Sequence, residues 1–155
     1  MRMNLSDLET RGLIERVEPD LNKVKIALQR AERDLRTAKA NLDIDEHWAY
    51  TISYHAMLRA GRALMLSFEY RPKGKDQHKT VVEFCSRVLG DEYRILINKF
   101  HRMRRKRHKF VYEFEGMISK AEAKDSIESA RKLTDGIFEI VREKVEDLFE
   151  RKGKK

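Results

Sequence analysis

The chain has few of the residues that interrupt helices or cross-link folds. Its 155 residues include one Cys, two Pro and seven Gly, and no apolar run is long enough to span a membrane. The single Cys85 excludes a disulfide within the chain. No N-terminal apolar stretch resembles a signal peptide, so we expect a cytoplasmic protein. A charged fraction of 39%, with so little Pro and Gly, favours helices over a sheet.

Short motifs of several common enzyme classes are also missing. There is no Gly-rich phosphate loop, no nucleophile elbow and no dinucleotide-binding fingerprint. The five His and one Cys do not recur at the spacings of metal ligands. His101 and His108, for example, are separated by about two helical turns, which is too far for one ion. We therefore expect neither a metal ion nor a cofactor.

Positive charge is in excess. The formal net charge of +8 favours an anionic partner such as RNA, a nucleotide or an acidic protein. Part of the excess lies in residues 151–155, which we expect to form a disordered basic tail. The densest basic segment is 101–112, which holds six Lys or Arg, two His and one Tyr. This segment is a stronger indicator of function than the overall charge.

Apolar spacing predicts a single helical domain over residues 1–155. The fold class is all-α, an antiparallel four- to five-helix up-and-down bundle preceded by a leading segment, 1–17, with a short helix from Leu5 to Val17. The bundle helices are predicted at about 21–42, 46–68, 78–89 and 92–115, followed by a last helix capped by Ser119. The 46–68 helix is apolar on most of its circumference and is therefore central, and Pro and Gly mark 70–77 as a polar loop.

The basic segment lies on an amphipathic helix. Its apolar stripe consists of Leu96, Phe100, Met103, Phe110 and Phe114, and Arg107 occupies the position skipped between the third and fourth members. A guanidinium is costly to bury unpaired. Two alternatives follow for Arg107: its stem packs while its head reaches water, or it lines a cleft that receives an anion.

Several side chains border the stripe near Arg107. His108 lies about 40° from Arg104 and about 40° from Tyr112 around the helix, and on the same side as His101. Arg102 lies far round the helix from this group. The alternative is a solvated basic face. Elsewhere, His55 suits a core or interface position rather than a catalytic one. His78 suits a loop or the first turn of the next helix, and the alternative is that it approaches the site from that element.

Three blocks, taken together, resemble a known superfamily. They are the aromatic and Ala-rich 49–65, the Tyr70-Arg-Pro-Lys loop followed by His78, and the Arg104-Arg-Lys-Arg-His-Lys-Phe-Val-Tyr112 helix. Their order resembles the HEPN superfamily, and most closely its small stand-alone prokaryotic members. The resemblance implies a homodimer whose paired motif helices flank a basic cleft. Many relatives are metal-independent ribonucleases, often toxins neutralised by a minimal nucleotidyltransferase.

The family motif is an Arg followed by His after four to six residues. One register places Arg107 on the motif Arg and Tyr112 where active members carry His, and the other pairs Arg102 with His108. The resemblance implies that the Arg stabilises phosphate charge while the His transfers a proton. The candidate catalytic residues are Arg107, His108, Tyr112 and Arg102, and the candidate RNA- or phosphate-binding residues are His101, Arg104, Arg105 and Lys109. The alternative function is a non-catalytic nucleotide- or protein-binding module that acts with a minimal nucleotidyltransferase.

Overall fold

Six helices and two short strands make up the fold, in a computed structural model that describes the backbone of residues 4–113 and 118–153 and the side chains of 4–107 and 118–146. In chain order the elements are α1 (Leu5–Thr10), β1 (Ile14–Arg16), α2 (Leu21–Asn41), α3 (Glu46–Ser67), β2 (Tyr70–Pro72), α4 (Gln77–Leu89), a 3₁₀ turn (Asp91–Tyr93), α5 (Arg94–Glu113) and α6 (Lys120–Gly153). The all-α bundle is thereby confirmed as the fold class. None of the described helices is long and apolar enough to cross a membrane.

Helices α2 and α3 begin where the sequence predicts, and each has an aspartate as its N-cap. Asp20 caps α2, its Oδ1 accepting from the backbone N–H of Lys23 at 3.1 Å, and five residues of the stripe are buried: Val24, Leu28, Ala31, Leu35 and Ala38. Asp45 caps α3 in the same way, accepting from the N–H of Trp48 at 3.0 Å. Trp48, the third residue of α3, is 55% exposed, although the sequence predicts a helix that is apolar on most of its circumference.

Helix α3 is the centre of the bundle. It contacts α2, α4, α5, α6 and β2, and the small side chains of Ala56 and Ala60 are fully buried. Helix α6 runs beside α3 in the same direction. Lys120 forms an ion pair with Asp43 near the start of α3, while the ammonium of Lys144 lies 4.6 Å from the ring of Phe68 at its end. The long helices thus bury nearly the whole circumference of α3.

The pairing of β1 with β2 was not predicted. The leading helix ends at Thr10 rather than Val17, because Gly12 adopts a φ of +74° and turns the chain. The three residues of β1 pair antiparallel with β2 in the register Ile14↔Pro72. The backbone N–H of Val17 donates to the carbonyl of Glu69 at 2.9 Å. Two three-residue segments more than fifty positions apart carry no periodic signal, so the expected leading helix and polar loop were wrong at these residues.

The β2 segment returns the chain along α3 and determines where α4 begins. After Pro72 the chain reaches the middle of α3, where His78 in the first turn of α4 contacts Tyr54. Later residues of α4 pack further along, with the rings of Phe84 and Phe68 6.0 Å apart. This return is the structural reason that a histidine from α4 lies beside the basic helix α5.

Helices α5 and α6 form the remaining side of the bundle. Phe100 and Met103 of the predicted stripe are buried, whereas the side chains of Phe110 and Phe114 lie outside the described residues. Ser119 caps α6, its Oγ accepting from the N–H of Glu122 at 3.0 Å. The backbone of α6 continues to Gly153 and so includes three residues of the expected basic tail, and the last two residues lie outside the described range.

Close packing of α3 against α4 gives a test of the core. A Cβ added at Gly61 would lie 2.5 Å from Cγ1 of Val81 and 3.0 Å from Sγ of Cys85. We predict that Gly61→Ala lowers the free energy of unfolding by about 1 to 3 kcal/mol through overpacking, although alanine is the better helix former. Urea unfolding followed by circular dichroism measures the change.

Val81→Ala is the matched control because it removes the opposing methyl groups. In the Gly61→Ala background it should cost less stability than it does in the wild type. If the two substitutions change the free energy of unfolding additively, or if Gly61→Ala raises it, the close approach of α3 and α4 would be contradicted.

Candidate functional site

The basic side chains of α5 fall into two groups. Lys99 and Lys106 form ion pairs with α6, to Asp125 at 3.1 Å and to Glu122 at 2.6 Å. Four arginines of the same helix have no ion-pair partner among the described residues: Arg102, Arg104, Arg105 and Arg107. Helix α6 thus neutralises the two lysines and leaves the four arginines free to attract an anion.

A groove of about 420 Å³ runs along the outer side of α5. It is lined by Lys79, Asn98, His101, Arg102, Arg104 and Arg105, and we call it the outer groove. Arg102 and Arg105 are exposed there, and His101 is half-buried. Burial lowers the pKa of His101, assisted by the charges of Arg104 and Arg105, while the carboxylate of Glu83 acts in the opposite direction. The groove is therefore polar, open and strongly positive.

Arg107 lies deeper than the groove. Its guanidinium carbon is 5.8 Å from the centre of the buried Tyr54 ring, within the range of a cation–π contact. The Nε atoms of Arg104 and Arg107 are both buried and make no hydrogen bond within the described part of the chain. Arg107 is half-buried, and the choice between its two alternatives stays a prediction.

Tyr54 and His78 are joined by a hydrogen bond. The Tyr54 hydroxyl lies 2.9 Å from Nδ1 of His78. Burial, followed by the charges of Arg62 and Arg107, lowers the pKa of His78 to about 4, and burial raises the pKa of Tyr54 to about 12. Both side chains are therefore neutral at pH 7. Burial and then the charge of Arg107 also lower the pKa of His55.

These contacts define a second part of the site, which we call the inner notch. It consists of Arg62 from α3, His78 from α4, and Arg104 and Arg107 from α5, around the ring of Tyr54. The neighbouring charges that lower the pKa of His78 are those of these three arginines and His55, and none of the three arginines has an ion-pair partner in the described structure. Arg104 belongs to both the notch and the outer groove and connects them.

The structure brings together five of the eight candidate residues. His101, Arg102, Arg104 and Arg105 line the outer groove, and Arg107 lies in the inner notch. Arg102 also lies near Tyr50 and Glu122, on the side of α5 that faces α6. His108, Lys109 and Tyr112 belong to the helical backbone of α5, but their side chains lie outside the described residues. Both motif registers therefore stay predictions.

Sequence reasoning missed Tyr54 and Arg62 and left His78 as a first-turn residue. A weak signal was present, because Tyr54 and Arg62 are eight residues apart and so share a face of a helix that is otherwise apolar there. The position of His78 beside Tyr54 depends on the pairing of β1 with β2, and no pattern in the sequence near His78 indicates that pairing. Among the described residues, no three His, Cys, Asp or Glu side chains are grouped so that they could hold a metal ion.

Comparison with known proteins identifies the fold family. The model of the HEPN domain matches residues 24–143, which include all of α3, α4 and α5. The chain belongs to the HEPN family. No protein of curated function matches it significantly. The HEPN assignment supports an RNA-related or nuclease-like module in general terms, and α1 and β1 lie outside the matched range.

Proposed function

We propose that this HEPN protein binds single-stranded RNA and cleaves it without a metal ion, as the toxin of a toxin–antitoxin pair. The supporting observation is the cluster of arginines from α3 and α5 with no neutralising carboxylate among the described residues. Unpaired arginines at this density repel one another, so a polyanion that enters the groove relieves the repulsion and releases counterions. RNA phosphates fit this requirement.

The assembly belongs to the proposal as well. The resemblance implies a homodimer in which two copies of α5 flank one basic cleft, and a minimal nucleotidyltransferase as the neutralising partner. Ile95 supports an interface at this helix, because it is 70% exposed near the start of α5. Two copies of the outer groove would then extend the positive surface along a bound strand.

We assign cleavage to the C-terminal part of α5. A base removes the proton of the 2′-hydroxyl, the oxygen attacks the adjacent phosphorus, and an acid protonates the departing 5′-oxygen, which leaves a 2′,3′-cyclic phosphate. Arg107 and Arg104 stabilise the phosphate charge. His108 is the acid or base in this proposal, and Tyr112 assists.

A non-catalytic module is the second candidate. Burial and neighbouring positive charges lower the pKa values of His55, His78 and His101, which makes these three weaker candidates for a protonated acid at neutral pH. The acid in the catalytic proposal is therefore His108. Without it the same cluster serves as a nucleotide- or RNA-binding surface that acts with a nucleotidyltransferase.

RNA binding through α5 has a direct test. We predict that affinity for a single-stranded RNA falls steeply with added salt, and that Arg104→Glu combined with Arg105→Glu abolishes binding while the protein stays folded. Fluorescence anisotropy measures affinity, and circular dichroism measures folding. Lys23→Glu combined with Lys25→Glu on α2 makes the same charge change at exposed positions and should bind nearly as well. Salt-independent binding, or equal losses in both variants, would argue against this surface.

Cleavage separates the two candidate functions. We expect activity to persist in EDTA, to yield 2′,3′-cyclic phosphate ends, and to fall by roughly 10² to 10⁴-fold in His108→Ala with little change in RNA affinity. Arg107→Ala should reduce both binding and cleavage. Gel analysis of end-labelled RNA gives the rates and the end groups.

Two results would revise the catalytic assignment. If the purified protein binds RNA but cleaves none, the non-catalytic module replaces the nuclease. If His108→Ala stays active while Tyr112→Phe does not, the register that pairs Arg107 with Tyr112 replaces the other.

A further inference from the structure

The inner notch differs from the outer groove in its contact with the core. Tyr54 at its centre is fully buried, and the arginine and histidine side chains around that ring are half-buried. The Nε atoms of Arg104 and Arg107 are buried and make no hydrogen bond within the described structure. An anion that reaches these two donors would satisfy them.

The charge of the notch also exceeds what one phosphodiester needs. Arg62, Arg104 and Arg107 contribute three guanidinium groups, and none of them forms an ion pair with a carboxylate of the described residues. A phosphodiester carries one negative charge, whereas a phosphomonoester carries about 1.5 to 2 at pH 7 and offers three acceptor oxygens. Guanidinium groups bind such oxygens through paired N–H donors. The arrangement therefore favours the monoester.

His78 adds a donor of fixed direction. The buried Tyr54 hydroxyl keeps its proton, so it can donate to Nδ1 of the neutral His78 ring across the 2.9 Å contact. The ring proton then resides on Nε2, which becomes a hydrogen-bond donor. Tyr54 acts in this arrangement as a positioning residue that sets the tautomer of His78.

We propose that the inner notch binds a terminal phosphate, the phosphomonoester at the end of an RNA chain or on a mononucleotide, while the outer groove holds internal phosphodiesters. This inference rests on the RNA-binding function proposed above. It assigns Arg62 and His78, neither of which belongs to the α5 motif, to recognition of the end of the ligand. The protein would then select RNA by its end group as well as by its charge.

The test compares end groups on one RNA sequence. The probes are 2′-O-methyl oligonucleotides, which cannot undergo attack by a 2′-hydroxyl, with a 5′-phosphate, a 3′-phosphate or hydroxyls at both ends, each labelled away from the end under test. Anisotropy at one salt concentration and pH 7 gives the affinities. We expect one phosphorylated end to bind roughly tenfold tighter than the hydroxyl-ended chain.

Single substitutions test which residues produce the preference for a phosphorylated end. Arg62→Gln should remove most of this preference and lower the affinity for hydroxyl-ended RNA much less, since Arg62 does not line the outer groove. His78→Asn, which can still accept from Tyr54 but lacks the Nε2 donor, should reduce it independently. Arg94→Gln is the matched control, because it removes one charge from an exposed position at the start of α5. This variant should keep the full preference.

Competition with a nucleoside 5′-monophosphate, its nucleoside and inorganic phosphate distinguishes the two sources of the terminal phosphate. RNA binding with no preference for any phosphorylated end, or a preference that survives Arg62→Gln, overturns the notch and leaves the RNA-binding function intact. Binding of the monophosphate in the absence of any RNA binding, lost in Arg62→Gln, supports the notch and overturns the RNA-binding function. Absence of both kinds of binding overturns both.

Discussion

Burial of α3 on nearly every side is the constraint on which the rest of the structure depends. A helix in this position has to be mostly apolar or small, and Gly61 and the buried alanines allow α4 and the long helices to approach closely. The polar groups that α3 does carry must then find partners. Tyr54 bonds to His78, and its ring receives the guanidinium of Arg107, so the packing of the core determines the composition of the site.

Charge is distributed unevenly around α5 for a related reason. The face that packs against α6 meets Glu122 and Asp125, which neutralise Lys106 and Lys99. On the faces toward α3 and α4, the residues that act on His78 are arginines and another histidine. These repulsions lower the stability of the free protein, and an anion that binds only the folded state restores it. A site of this kind makes folding stability and ligand binding interdependent.

Patterns within single helices were sufficient to predict most of the fold. The stripe from Val24 to Ala38 and the buried alanines of α3 follow from spacing alone, because each depends only on the 3.6-residue repeat. The strands β1 and β2 did not follow, since each has three residues and exists only through the other. Trp48 shows the opposite error: it belongs to the helix predicted to be apolar on most of its circumference, yet its side chain is 55% exposed.

The candidate site was predicted only in part, because the sequence shows patterns within one helix but not contacts between helices. Angles around one helix placed His101 on the same side as Arg104, and both line the outer groove, but the same angles set Arg102 apart, whereas the structure places it in that groove. The inner notch needs side chains from α3, α4 and α5, and His78 reaches it only because β2 returns the chain along α3. Sequence distance gave no indication that Arg62, His78 and Arg107 would act on one another.

The central claim is that the junction of α3, α4 and α5 is a positive site that has no counter-charge among the described residues until a phosphate occupies it. An NMR pH titration of the histidine rings tests it most directly, with His78 identified by its absence in His78→Asn. In the free protein His78 should stay neutral down to about pH 4. Addition of uncleavable phosphorylated RNA should raise its pKa, because the anion offsets the arginines and favours the protonated ring, so that proton uptake accompanies binding as the pH falls. A ring that titrates near the ordinary value of 6.5 both with and without the RNA would contradict the account.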